Sequence, residues 1–128
     1  MYYKTYQIQK KIKGEKRVNK FGAIKTHGFD SKKEFNRYRE LLLLEKAGEV
    51  SDIQTQVKFT LYGQKGSKIC TYKADFVYTD KDGTKVIEDT KSPITCTPVF
   101  KLKWKMLEDM YQEEIKKGIV KLVINLAR

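Results

Sequence analysis

The sequence predicts one α/β domain, a mixed β-sheet flanked by helices, in the order helix, three strands, helix, strand. Three observations predict it. Segments near 30–47 and 98–117 carry apolar residues at helical spacing, whereas 53–62, 71–91 and 119–126 are rich in β-branched and aromatic residues. Glycine or proline stands at most junctions between them. A chain of 128 residues suits one compact domain, and 40% hydrophobic with 34% charged residues fits a globular protein.

Residues 1–26 form a basic arm ahead of a domain spanning 27–128. The arm holds Lys4, Lys10, Lys11, Lys13, Lys16, Arg17, Lys20 and Lys25 against the single acid Glu15, which is +7 of the net +11. It reads either as a solvated tail or as a phosphate-binding arm with Tyr2, Tyr3 and Tyr6 available to stack on bases. Residues 18–29, punctuated by Gly22 and Gly28, suit a short strand or hairpin.

Asp30-Ser31 opens the first helix and Gly48 stops it after about Ala47. Phe35, Tyr38, Leu41 and Leu42 face the core, with Glu34 and Glu45 in or beside that arc and Arg37 and Glu40 pointing away. Ser31-x-x-Glu34 is also a capping box, so structure alone accounts for Glu34 as well as chemistry does.

Val57, Phe59 and Leu61 alternate with polar residues as in a half-solvated strand over 53–62, and 63–68 is a loop. Residues 71–91 form a hairpin with its tip at Lys81-Asp82-Gly83. A two-residue Asp82-Gly83 turn sets Asp75 opposite Thr90. A three-residue loop with Gly83 in the left-handed conformation sets Asp75 opposite Asp89 and Lys73 opposite Lys91, and this is the register we expect. Asp89 and Lys91 share a face, with Thr90 and Glu88 on the other. Two carboxylates directly opposed repel one another, and a divalent cation would offset the cost. The plainer reading of Asp89 and Lys91 is a surface ion pair of little consequence.

After irregular residues 92–97, Thr97 caps a helix that begins at Pro98 and reaches about Lys117. Val99, Leu102, Met106 and Met110 form its expected core stripe, flanked by Phe100, Leu107 and Tyr111. Trp104 is either core or a stacking platform. Lys101, Lys103 and Lys105 are either solvated or phosphate-binding. Residues 119–126 read as a strand buried on both faces.

Composition excludes several chemistries. Cys70 and Cys96 lack metal-ligand spacing and read as free thiols. The sole histidine, His27, builds neither a His-rich zinc site nor a Ser-His-Asp triad. No apolar run has the length of a membrane span and the N-terminus lacks a signal-peptide core, so a cytoplasmic protein without membrane contact is expected.

Phe29-Asp-Ser-Lys-Lys-Glu34, then Tyr72-x-Ala-Asp75-Phe-x-Tyr78, then Val86-x-Glu-Asp89-x-Lys91 resembles the PD-(D/E)xK nuclease superfamily, in particular its small basic phage proteins. The resemblance covers roughly residues 21–111 and departs at Ser92-Pro93, where Gly is expected after the motif lysine. It implies a restriction-endonuclease-like core and a DNA endonuclease dependent on Mg²⁺, with Mn²⁺ as a substitute. Asp75, Asp89 and the Thr90 carbonyl would hold the metal, with Glu34 beside them and Glu45 as fallback. Lys91 would position the attacking water or stabilise the transition state. Lys10, Lys11, Lys13, Lys16, Arg17, Lys20, Lys73, Lys101 and Lys105 would meet DNA. Holliday-junction resolvases of the superfamily, which act as dimers, suggest a homodimer working on four-way junctions during recombination. A general nicking or DNA-processing nuclease and a non-catalytic nucleic-acid-binding protein remain alternatives.

Overall fold

A computed structural model of the chain describes residues 31–126 and, ahead of them, the backbone of two short antiparallel strands, β1 (Arg17–Val18) and β2 (Ile24–Lys25). That pair overlaps the segment 18–29, where a short strand or hairpin is expected. Lys10, Lys11, Lys13, Lys16, Lys20, His27, the three N-terminal tyrosines and the Arg17 side chain lie outside the described residues.

Helix α1 (Lys32–Lys46) starts where the sequence requires it. The Ser31 hydroxyl accepts from Glu34 N–H at 3.1 Å, and Gly48 follows the helix with φ of 79°. Tyr38 and Leu41 are buried, and Phe35 and Leu42 pack beside them. Arg37 does not point away from this face. It lies one turn from Glu34 and Leu41 and bonds to Glu88, so its guanidinium is drawn in by an ion pair.

Strands β3 (Val50–Tyr62), β4 (Lys68–Asp80), β5 (Lys85–Lys91) and β6 (Val120–Leu126) form one sheet in that spatial order. The first three are antiparallel, and β6 runs parallel to β5. A parallel neighbour requires a crossover, which α2 (Pro98–Met110) and the short α3 (Gln112–Lys116) supply. The order helix, three strands, helix, strand is thus the one expected.

The sheet separates two cores. On one face Tyr38 and Leu41 of α1 meet Val50, Ile53, Phe76, Tyr78 and Val86. On the other, Phe100, Trp104 and Leu107 of α2 meet Phe59, Leu61, Tyr72, Ala74, Val77, Ile87 and Val120. Strand alternation should keep Ala74 and Phe76 on one face, yet they join different cores. The change happens at one place. Thr55 pairs with Phe76 and Val57 with Ala74, while Gln56 between them has φ of 55°. A left-handed, non-glycine residue in mid-strand turns the ribbon over there. Asp75 stands across from it.

Three expectations fail in the C-terminal third. The buried stripe of α2 is Phe100, Trp104 and Leu107; Val99 and Leu102 are 62% and 63% exposed and Met110 is also exposed. Both stripes have helical spacing, but the rings of Phe100, Trp104 and Tyr72 pack at centroid distances of 5.5–6.3 Å and bury more apolar area. Trp104 is therefore core. The helix does not run unbroken to Lys117: it breaks at Tyr111 (φ −102°, ψ 18°), whose ring meets Phe59 edge-on at 6.1 Å. Finally, β6 is an edge strand with only Val120 buried, because β5 alone flanks it. Cys70 and Cys96 are free thiols at the margin of the α2-side core.

Candidate active site

The β4–β5 loop is the three-residue one. Thr79 pairs with Lys85 and Asp80 N–H donates to the Thr84 carbonyl, with Gly83 at φ of 86°. Phe76 pairs with Glu88, so Asp75 stands opposite Asp89 at the next position. Both are buried. Asp75 Oδ2 accepts from Thr90 N–H at 2.8 Å, and the two carboxyls share a hydrogen bond.

Burial raises the Asp75 carboxyl first, then the hydrogen bond with Asp89 and the charges of Glu34 and Asp89; the Thr90 N–H opposes them. Its pKa is pushed up to about 9. Asp75 is therefore held toward its protonated form.

Asp89 is held at its other side. Its Oδ2 accepts from the Tyr72 phenol. Burial and the nearby Asp89 charge raise that phenol far above its ordinary range, so it remains a donor. Lys91 Nζ lies 3.4 Å from Asp89 Oδ1 and 4.5 Å from the centre of the Phe100 ring. The lysine pairs with Oδ1 by charge, but the geometry is not that of a hydrogen bond, and Oδ1 is buried with no hydrogen-bond donor. The hydroxyl of Thr90 is likewise unpartnered.

Glu34 reaches this group from α1. Its carboxylate is buried, accepts from Gln56 Nε2 at 3.3 Å and acts electrostatically on Asp75. Glu45 does not take its place. Eleven residues along a helix is about 16 Å, and its charge acts on Tyr38 instead.

The other carboxylate of β5 is satisfied. Glu88 is fully buried and takes two bonds from Arg37, Nε at 2.7 Å and Nη2 at 3.0 Å. Tyr78 O–H adds a third at 2.7 Å and Asn125 Nδ2 a fourth at 3.5 Å. The bond to Glu88 raises the Arg37 pKa further, and burial followed by Glu88 raises the Tyr78 phenol. This network ties α1, β4, β5 and β6 together one helical turn from Glu34.

The basic residues divide. Lys101 and Lys105 are exposed on α2, and Lys103 is half-buried there. Lys73 is exposed on the opposite face of the sheet, and its cross-strand partner is Lys58 rather than Lys91. The β4–β5 ladder ends at Phe76 and Glu88, and the turnover at Gln56 puts Lys73 on the face away from Phe100 and Lys91.

Sequence reasoning missed Tyr72, Gln56 and Arg37. Tyr72 and Asp75 are an odd number of residues apart, so regular alternation would separate them. Only the turnover brings both to Asp89. No residue pattern announces it. Arg37 was legible as the neighbour of Glu34 at helical spacing.

Among the described residues, no group of three or more His, Cys, Asp or Glu side chains lies close enough to hold a metal ion. The oxygen donors available to a hard cation are the Asp75 and Asp89 carboxylates, with Glu34 behind Asp75 and the Thr90 backbone beside them. Mg²⁺ keeps several waters and binds through one or two carboxylates plus phosphate oxygens. A crowded acid pair with one buried oxygen lacking a donor fits that requirement.

Fold and site together define an α/β domain with a mixed four-stranded sheet and a pair of opposed carboxylates between two of its strands. The chain belongs to the family described as protein of unknown function (DUF1064), whose model matches residues 11–124. No curated protein and no solved structure matches it.

Proposed function

We propose that this protein is a divalent-metal-dependent endodeoxyribonuclease of the PD-(D/E)xK type, selective for branched DNA such as four-way junctions and acting as a homodimer in the cytoplasm. The observation that carries the reading is the Asp75–Asp89 pair, two buried acids side by side with an unbonded Oδ1 and a lysine at 3.4 Å. Acids perturbed by burial and a specific charge partner cluster at functional sites. The ordered motif running from Glu34 through Asp75 to Asp89-Thr90-Lys91 adds a second, independent support.

In this reading Asp75, Asp89 and the Thr90 carbonyl would hold Mg²⁺ or Mn²⁺, with the Glu34 carboxylate beside them. When bound, the ion would supply a water of lowered pKa and charge neutralisation at the phosphoryl oxygen. Tyr72 holds Oδ2 of Asp89 and leaves Oδ1 beside Lys91 Nζ. Lys91, held between Asp89 and the Phe100 face, would donate to the phosphate as negative charge builds on it.

Incubating the purified chain with a four-way junction, nicked circles and matched linear duplex, with Mg²⁺, Mn²⁺ or chelator, tests the proposal. Metal-dependent, symmetrically paired cuts in the junction are expected, with matched duplex spared. Asp89→Asn should slow cleavage by on the order of a thousandfold or more while DNA binding persists. Cutting of every form alike would point to a general nicking enzyme. The second reading, a nucleic-acid-binding protein without catalysis, draws on the two-carboxylate donor set; cleavage undiminished in Asp89→Asn would sink the assignment of the site.

A further inference from the structure

The outer half of the β3–β4 ribbon has one buried face and one open face. Val57, Phe59, Leu61, Tyr72 and Ala74 pack toward α2. Alternation sends Lys58, Thr60, Tyr62, Thr71 and Lys73 to the other side, and beyond the turnover at Gln56 that side is solvated. Lys58, Tyr62, Thr71 and Lys73 are all exposed. Lys58 is directly paired with Lys73, Thr60 with Thr71, and Tyr62 with Lys68.

Two lysines facing one another across a ladder destabilise the ribbon. Acids on the same stretch of ribbon would relieve them, but this stretch carries none. Between Asp52 and Asp75 the chain carries Lys58, Lys65, Lys68 and Lys73 and no Asp or Glu. Salt bridges occupy Lys81 and Lys91 elsewhere in the sheet, whereas none of the described ion pairs involves these four. Lys73 and Lys58 each stand two residues from the turnover that sets Asp75 beside Glu34. The charge is therefore concentrated on one face of the ribbon, which ends two residues short of Asp75 and its neighbour Glu34.

We propose that this open face is a docking surface for the phosphate backbone of duplex DNA, with the opposed Lys58–Lys73 pair as its central contact and Lys68 farther along the ribbon. The proposal rests on the nuclease reading only in that it names the surface from which duplex DNA reaches Asp75. It assigns binding to this face rather than to the α2 lysines. A surface ribbon with cations and small hydroxyls (Thr60, Thr71) suits contacts to backbone oxygens, which fix position without reading bases. Bound phosphates would also relieve the repulsion between the paired lysines.

The test is a salt titration of binding by fluorescence anisotropy, run in chelator so that cleavage plays no part. A duplex, a single strand of the same length and vesicles of anionic lipid are the three ligands. Each phosphate released from contact lowers the slope of log K against log salt by about 0.9. Lys58→Gln with Lys73→Gln should weaken duplex binding and reduce the slope by about 1.8, while Lys101→Gln with Lys105→Gln leaves both unchanged. Lys58→Arg with Lys73→Arg should restore binding, which a folding defect would not allow. Unchanged affinity and slope in the glutamine pair would overturn the proposal, as would full loss in the α2 pair. Tighter binding of the single strand or of vesicles would overturn duplex DNA as the occupant. Absence of cleavage with binding still dependent on Lys58 and Lys73 would reject the nuclease reading and leave this surface standing.

Discussion

Glu88 and Asp89 are neighbours in sequence and both buried, yet β5 turns them to opposite faces and into opposite circumstances. Glu88 receives a bidentate arginine, a phenol and an amide, so its charge is matched and its oxygens are filled. Asp89 has one phenol, a lysine that does not form a hydrogen bond with it, and a second acid against it. The first arrangement closes a structure; the second leaves one unfinished. A buried carboxylate is therefore not a site by itself, and the state of its partners is what separates the two.

The largest test of that contrast removes the partner of the satisfied acid. Arg37→Ala leaves Glu88 buried without its counter-charge and should destabilise the fold by about 3–5 kcal/mol. Urea denaturation reads it directly. A loss below 1 kcal/mol would mean that Glu88 is not held as described.

A smaller effect is expected on the other face. Tyr72→Phe keeps the ring among Phe59, Phe100 and Trp104 and removes only the donor to Asp89. Groups that orient a metal ligand are worth about 10–100-fold in affinity, so Mn²⁺ should bind that much more weakly. Calorimetry measures it, with the melting temperature as control for packing. Unaltered affinity would remove Tyr72 from the site.

The smallest effect is a gain. In the metal-free protein Asp75 holds its proton until about pH 9, whereas in the unfolded chain it ionises near 3.8. Between those values the unfolded state binds fewer protons, so this group's contribution to stability falls as pH rises from about 4 to 9 and is flat above. Asp75→Asn should abolish that slope and stabilise the metal-free protein at pH 8 by about 1–2 kcal/mol, as relief of strained sites commonly does. Denaturation curves at pH 5 and pH 8 in chelator compare the two. An equal slope in both proteins would show that Asp75 is not the group responsible.

How much of this was readable in advance follows the same division. Local chemistry was legible: Ser31 and Thr97 as caps, Gly48 after the first helix, and the register that Gly83 imposes on Asp75 and Asp89. Long-range choices were not. Two apolar stripes on α2 had equal spacing, and only the aromatic cluster on Tyr72 decided for Phe100 and Trp104. The apolar run 119–126 gave no hint that β6 lies at an edge. The turnover at Gln56 escaped notice because glutamine carries no preference for a left-handed backbone. It is also what brings Tyr72 and Asp75 together and turns Lys73 away. The part of the site that depends on alternation being broken was hidden for that reason.

A nuclease of this type requires a divalent cation at the Asp75–Asp89 pair. Titrating Mn²⁺ into the wild-type chain and into Asp89→Asn at pH 8, followed by electron paramagnetic resonance of the free ion, tests it most directly. One saturable site in the wild type that vanishes in Asp89→Asn is the predicted result. Uptake equal in both proteins, or no uptake by the wild type, would contradict it.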